Sequence, residues 1–83
     1  MITITCNNSN TKAVEFMRNG GRNDEILVFA VAYDSYSERY EYWFSIGKFY
    51  KTLKAAKRAA VRVMAKFGYT FDEEKMEALQ FND

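Results

Sequence analysis

The 83-residue sequence contains no histidine and no proline, one cysteine and four glycines. Each shortage removes a class of chemistry. Without histidine there is no imidazole to act as general base or metal ligand, and no Ser-His or Cys-His dyad. Cys6 alone can form no intrachain disulfide, which suits a reducing compartment, and a single thiolate cannot build a zinc site. Gly20, Gly21, Gly47 and Gly68 do not form the strand-to-helix loop that cradles a phosphate. With no proline, no repeat and no low-complexity stretch, nothing reads as a linker. The longest apolar run, ILVFAVAY at residues 26–33, is far too short to span a bilayer as a helix. The N-terminus lacks the basic segment, apolar stretch and small-residue cleavage site of a secretory signal. The expectation is a soluble cytoplasmic protein with no cofactor, no metal and no membrane partner.

Little catalytic potential remains. Glu38 and Glu41 could form a carboxylate pair, but they fall on a hairpin and its outer face, where charge is ordinarily solvated. Cys6 shares a strand face with Ile2 and Ile4 and reads as a small buried hydrophobe. The chain is expected to be no enzyme.

What is present is apolar and aromatic. Hydrophobic residues make up 48% of the chain and aromatics 17%, the composition of one ordered domain over residues 1–83. Net charge is only +1, yet the charges are segregated. Lys48, Lys51, Lys54, Lys57, Arg58, Arg62 and Lys66 fall in a stretch without an acid, whereas Asp72, Glu73, Glu74, Glu77 and Asp83 follow with Lys75 as the one cation among them.

The hydrophobic periods predict an α+β fold: a small antiparallel sheet of three to four strands, packed by one amphipathic helix, with a short acidic C-terminal helix. MITITC alternates as a strand, and NNSN at residues 7–10 is a turn by composition. TKAVEFMRN, residues 11–19, fits either a returning strand or a short helix, and the preceding turn favours the strand. NGGRND at residues 19–24 is the strongest turn signal. The unbroken apolarity of Ile26 to Tyr33 predicts a strand covered on both faces. RYEYWFSI then alternates, placing Tyr40, Tyr42, Phe44 and Ile46 on one face and Arg39, Glu41, Trp43 and Ser45 on the other.

YKTLKAAKRAAVRVMAKFGY, residues 50–69, is the helix former, with Thr52 as N-cap and Gly68 at the left-handed terminus. At 100° per residue, Leu53, Ala56, Ala60, Val63, Met64 and Phe67 gather on a core face. Lys54, Arg58, Arg62 and Lys66 fall four apart on the opposite side, a stripe about 18 Å long at 1.5 Å per residue. Thr70 and Glu73 resemble a capping box opening a helix over residues 71–80, with Met76 and Leu79 buried.

Two constellations could carry function. Arg58 and Arg62 can grip a phosphate or carboxylate in a fork, with Lys54 and Lys66 as point charges beside them. Equally, the stripe could be plain solvated surface, or the acidic tail could neutralise it. The aromatic group Tyr33, Tyr36, Tyr40, Tyr42, Trp43, Phe44, Phe49 and Tyr50 is mostly core material for so small a chain. Trp43 stands apart, pointing with Arg39 to a face that the acidic helix, a partner or a second copy must cover.

FYKTLKAAKRAA, following the strands, resembles the last helix of the double-stranded-RNA-binding domain, which opens with lysines and alanines. IGKFYKTLKAAKRAA resembles the three-strand-plus-helix integrase/AP2 type, where glycine and aromatics precede a Thr-started, alanine-rich helix. Both resemblances imply a nucleic-acid-binding module, and neither carries a site residue over to this chain; by the charge pattern alone, such a module would use the stripe with Lys48 and Lys51. In size, composition and lack of catalytic groups the chain is also similar to short phage or mobile-element accessory proteins, including anti-CRISPR proteins and host take-over inhibitors. That similarity implies an inhibitor or adaptor occupying a protein or nucleoprotein partner, and it is the preferred expectation. Direct nucleic-acid binding is the alternative, and a homodimer through an aromatic sheet face the third. The expected partner-binding residues are Lys54, Arg58, Arg62, Lys66, Lys51, Lys48, Trp43 and Arg39.

Overall fold

The structure, a computed structural model, describes residues 1–19 and 24–81. Four strands, β1 (Ile2–Thr5), β2 (Lys12–Arg18), β3 (Ile26–Asp34) and β4 (Arg39–Ser45), precede two helices, α1 (Leu53–Ala65) and α2 (Glu73–Ala78). The strands pair antiparallel in the order β1-β2-β3-β4. Of residues 11–18, Lys12–Arg18 thus settle as strand, with Val14 and Phe16 alternating toward the core. Of the expected NGGRND turn, residues 20–23 lie outside the described residues. Helix α1 crosses β3 on one side of the sheet.

Between helix and sheet lie Ile4, Cys6, Val14, Phe16, Ile26, Val28, Ala30 and Ile46, met by Ala56, Ala59, Ala60 and Met64 of α1. The alanines let the helix backbone approach the sheet closely, so α1 is held by contact area as well as by propensity. Ala59 belongs to this face although the periodicity did not place it there. Phe67 departs the other way: past the end of α1, it is 53% exposed and only flanks the core.

Two sequence expectations are overturned. The first concerns β4, where Phe44 pairs with Ala30 but Tyr42 pairs with Val31, leaving Trp43 as an extra residue without a cross-strand partner. This bulge breaks the period of two. Phe44 and Ile46 therefore face the helix, Tyr40 and Tyr42 face away, and Trp43 turns inward beside Phe44. The second concerns β3. Ile26, Val28 and Ala30 enter the core, whereas Leu27, Phe29 and Tyr33 on the other side do not, and no described helix covers them. The apolar run reflects an open apolar face instead of a second covering layer.

The capping of α2 also differs. Asp72 is the N-cap, accepting from the Lys75 N–H at 3.0 Å. Thr70 is diverted into a clamp between the β1–β2 turn and the α1–α2 connection. Its hydroxyl bonds Asn7 Oδ1, its N–H donates to Asn8 Oδ1 (3.1 Å), and Asn8 Nδ2 donates to the Gly68 carbonyl (2.8 Å). Asn8→Ala removes two of these bonds. Being exposed, they should be worth about 1 kcal/mol together, lowering Tm by about 4–8 °C in a thermal melt. An unchanged Tm would show that the turn holds without them.

Candidate partner-binding surface

Local sequence positions the basic face of α1. Thr52, extended at φ −127° and ψ 149°, accepts the Ala55 N–H on its hydroxyl at 3.1 Å and fixes where the helix begins. Gly68, at φ +85°, ends the turn that follows. Between these points Lys54, Arg58, Arg62 and Lys66 are all exposed. Residues four apart advance by about 40° around a helix, so the four sweep about a third of the circumference as they climb. Among the described residues, none of the four forms an ion pair within 4.0 Å. Among the described residues, the acids that follow α1 do not clasp the stripe.

The remaining expected residues divide. Lys48 and Lys51 are exposed in the connection leading into α1. Arg39 sits apart, at the start of β4, with its Nε 2.8 Å from Glu41 Oε1. That bond, with Ser37 donating to the same carboxylate oxygen at 3.0 Å, lowers the Glu41 pKa. The same bond raises the Arg39 pKa. Trp43 is half-buried and turned toward the core. Its ring packs against Phe44 (4.8 Å between centroids), Phe67 (5.4 Å) and Tyr69 (6.1 Å), with Lys12 Nζ 5.6 Å from its centre. Thus the segment after α1 packs on the indole, because the bulge turned it inward.

Lys57 lies among the stripe cations in sequence but does different work. Half-buried, its ammonium donates to the carbonyls of Glu77 (2.9 Å) and Leu79 (2.6 Å) at the C-terminal end of α2. It thereby satisfies carbonyls that a helix end leaves without intrahelical partners. Local sequence carries no sign of this contact, because the two ends are twenty and twenty-two residues apart.

Docking of α2 beside α1 leaves an open groove of about 510 Å³. Val61 and Ala65 of α1, with Phe71 and Met76, give it an apolar lining. Lys54, Arg58 and Arg62 border it along α1, and Glu73 and Glu77 along α2. Sequence reading missed this groove, although Val61 gave a signal: it is an apolar residue off the core face, and it is 43% exposed.

Cys6 is buried, and that burial raises the pKa of its thiol. Among the described residues no three of His, Cys, Asp and Glu gather to hold a metal ion, and no helix is long and apolar enough to cross a membrane. Comparisons with protein families, curated proteins and solved structures find no match to this chain.

Proposed function

We propose that the chain is a non-catalytic binding protein that captures an acidic protein surface, alone or within a nucleoprotein complex, on the basic face of α1. It would act there as an inhibitor or adaptor of the phage or mobile-element accessory kind. The observation that carries this reading is the exposed set Lys54, Arg58 and Arg62, with no ion pair among the described residues, beside an apolar groove. Exposed charge on its own is worth little in affinity. An adjacent apolar surface supplies what charge does not, while the charges steer encounter and fix register.

Direct nucleic-acid binding is supported by the run of seven cations without an acid from Lys48 to Lys66. Glu73 and Glu77 on the opposite border of the groove weigh against it, since they would repel the phosphates that the stripe attracts. The groove's apolar lining also suits side chains better than a sugar-phosphate backbone.

The test compares wild type with Arg58→Glu/Arg62→Glu, in pull-downs from the native host and in gel shifts with random DNA and RNA. Recovery of the wild type's partner should fall at least about tenfold for the variant, with no gel shift at low salt. Equal recoveries would remove the stripe from the mechanism. A shift whose log-log salt slope is about −3 to −4 would instead establish the nucleic-acid reading, with all four stripe cations on phosphates.

A further inference from the structure

We propose that the face of the sheet turned away from the helices is a homodimer interface. The proposal is independent of the α1 surface, which lies on the other side of the molecule. Leu27, Phe29, Val31 and Tyr33 of β3 occupy this face, with Met17 of β2 and Tyr42 of β4 in the adjoining ladders. An antiparallel sheet with one wet face alternates apolar residues inward with polar residues outward. Here the outward positions of the central strand are as apolar as the inward ones. The rings interlock edge to face, Phe29 with Tyr42 at 6.0 Å and Tyr33 with Tyr40 at 5.7 Å. Val31 is 2% exposed without a helix over it, shielded by its neighbours, while Tyr42 remains 65% exposed and Tyr33 42%.

Charge selects a second copy as the occupant. Glu15 is the one charged residue among the outward ladder positions of β1 to β4, and Thr3 Oγ1 lies 3.4 Å from its carboxylate. A nucleic acid stacking its bases on these rings would need cations tracking its backbone, and the described outward ladder positions offer none. A strongly charged protein partner would likewise find little to pair with. Two copies of this face meeting about a two-fold axis bring only the Glu15 carboxylates together as like charges, and an axis displaced toward β4, over the tyrosines, keeps those two apart.

The area is close to what a specific interface needs. Four strands about 4.8 Å apart, of four, seven, nine and seven residues, make a face averaging about 19 by 23 Å. Before side-chain relief is added, two such faces cover about 900 Å² of footprint, so their accessible area approaches the lower bound, about 1,200 Å², of a specific interface. Sheets packed in this way lie about 10 Å apart, and the tyrosines supply the residue type that dominates interface energetics. The resulting dimer carries its helices outside, with one α1–α2 groove on each outer surface.

Light scattering and sedimentation equilibrium of the wild-type chain at 10–100 μM test this directly, with Tyr33→Lys/Tyr42→Lys as the disrupting variant. Both substituted side chains are exposed, so folding should survive, as circular dichroism would confirm. The wild type should show twice the chain mass, persisting in 1 M NaCl, and the variant should show a single-chain mass. A monomeric wild type across that range would overturn the proposal whatever the variant does. So would a doubled mass that Tyr33→Lys/Tyr42→Lys retains but Arg58→Glu/Arg62→Glu loses. Quenching of tyrosine fluorescence by single-stranded RNA in a monomeric wild type would assign the rings to base stacking instead.

Discussion

Phe16→Ala should lower the free energy of unfolding by about 3–5 kcal/mol, read from the urea midpoint at unchanged m-value. Phe16 is the largest of the fully buried side chains. It stands mid-strand in β2, between Ile2 of β1 and Val28 of β3 in the ladder, on the side where α1 lies. Alanine there forfeits the transfer of a whole ring from water and leaves a cavity that backbone paired on both sides cannot collapse to fill. A chain of this length has a total stability of about 4–12 kcal/mol. The variant should therefore lose a large share of it and melt well below the wild type. Tyr42→Ala, which trims an exposed ring on the opposite face, should cost the isolated chain less than about 1 kcal/mol. The contrast tests which side of the sheet is core. Equal losses would mean that the open face contributes to the folded chain as much as the covered one.

The parts of this fold that sequence made legible are those set by a local period. Ile2 and Ile4 alternate, Val14 and Phe16 alternate, and α1 runs between a threonine cap and a left-handed glycine where both were expected. The exposed stripe follows from the same arithmetic, because a helix that buries Ala56, Ala60 and Met64 must turn Lys54, Arg58 and Arg62 outward. What escaped is whatever one residue or one distant contact decides. The bulge at Trp43 adds a residue to one strand without changing its composition, so RYEYWFSI reads as an unbroken alternation and every face assignment on one side of the bulge is inverted. Thr70 looks like a cap beside Glu73 because capping motifs are local. Its hydroxyl goes instead to Asn7, more than sixty residues earlier in the chain. The groove was invisible for the same reason: Val61 and Phe71 acquire a shared surface only once α2 is in place.

Lys57→Met should detach α2 and, through it, weaken partner capture, although none of the exposed stripe cations is altered. Six residues are too few for a helix to stand alone in water, since nucleation costs more than so few bonds return. Three features hold α2: the Asp72 cap, the burial of Met76, and the Lys57 ammonium on the carbonyls of Glu77 and Leu79. Methionine keeps most of the aliphatic stem and deletes only the charge and its donors. Hydrogen bonds to a charged group are worth about 1.5–3 kcal/mol, so losing this contact should cost about 2 kcal/mol. The loss should be local. Exchange of the Met76 amide, which donates to the Asp72 carbonyl, should accelerate about thirtyfold while amides of β2 and β3 keep their protection. Arg58→Met, one residue along and exposed, should leave stability within about 0.5 kcal/mol. The two variants remove the same formal charge from the same helix turn, so a difference between them separates a positioning cation from a binding one. On the proposed reading, Arg58→Met weakens capture with α2 in place, whereas Lys57→Met weakens it by opening the acidic border of the groove. A Met76 amide as protected in Lys57→Met as in wild type would mean that apolar contact alone holds α2, and Lys57 would then rank with the solvated cations beside it.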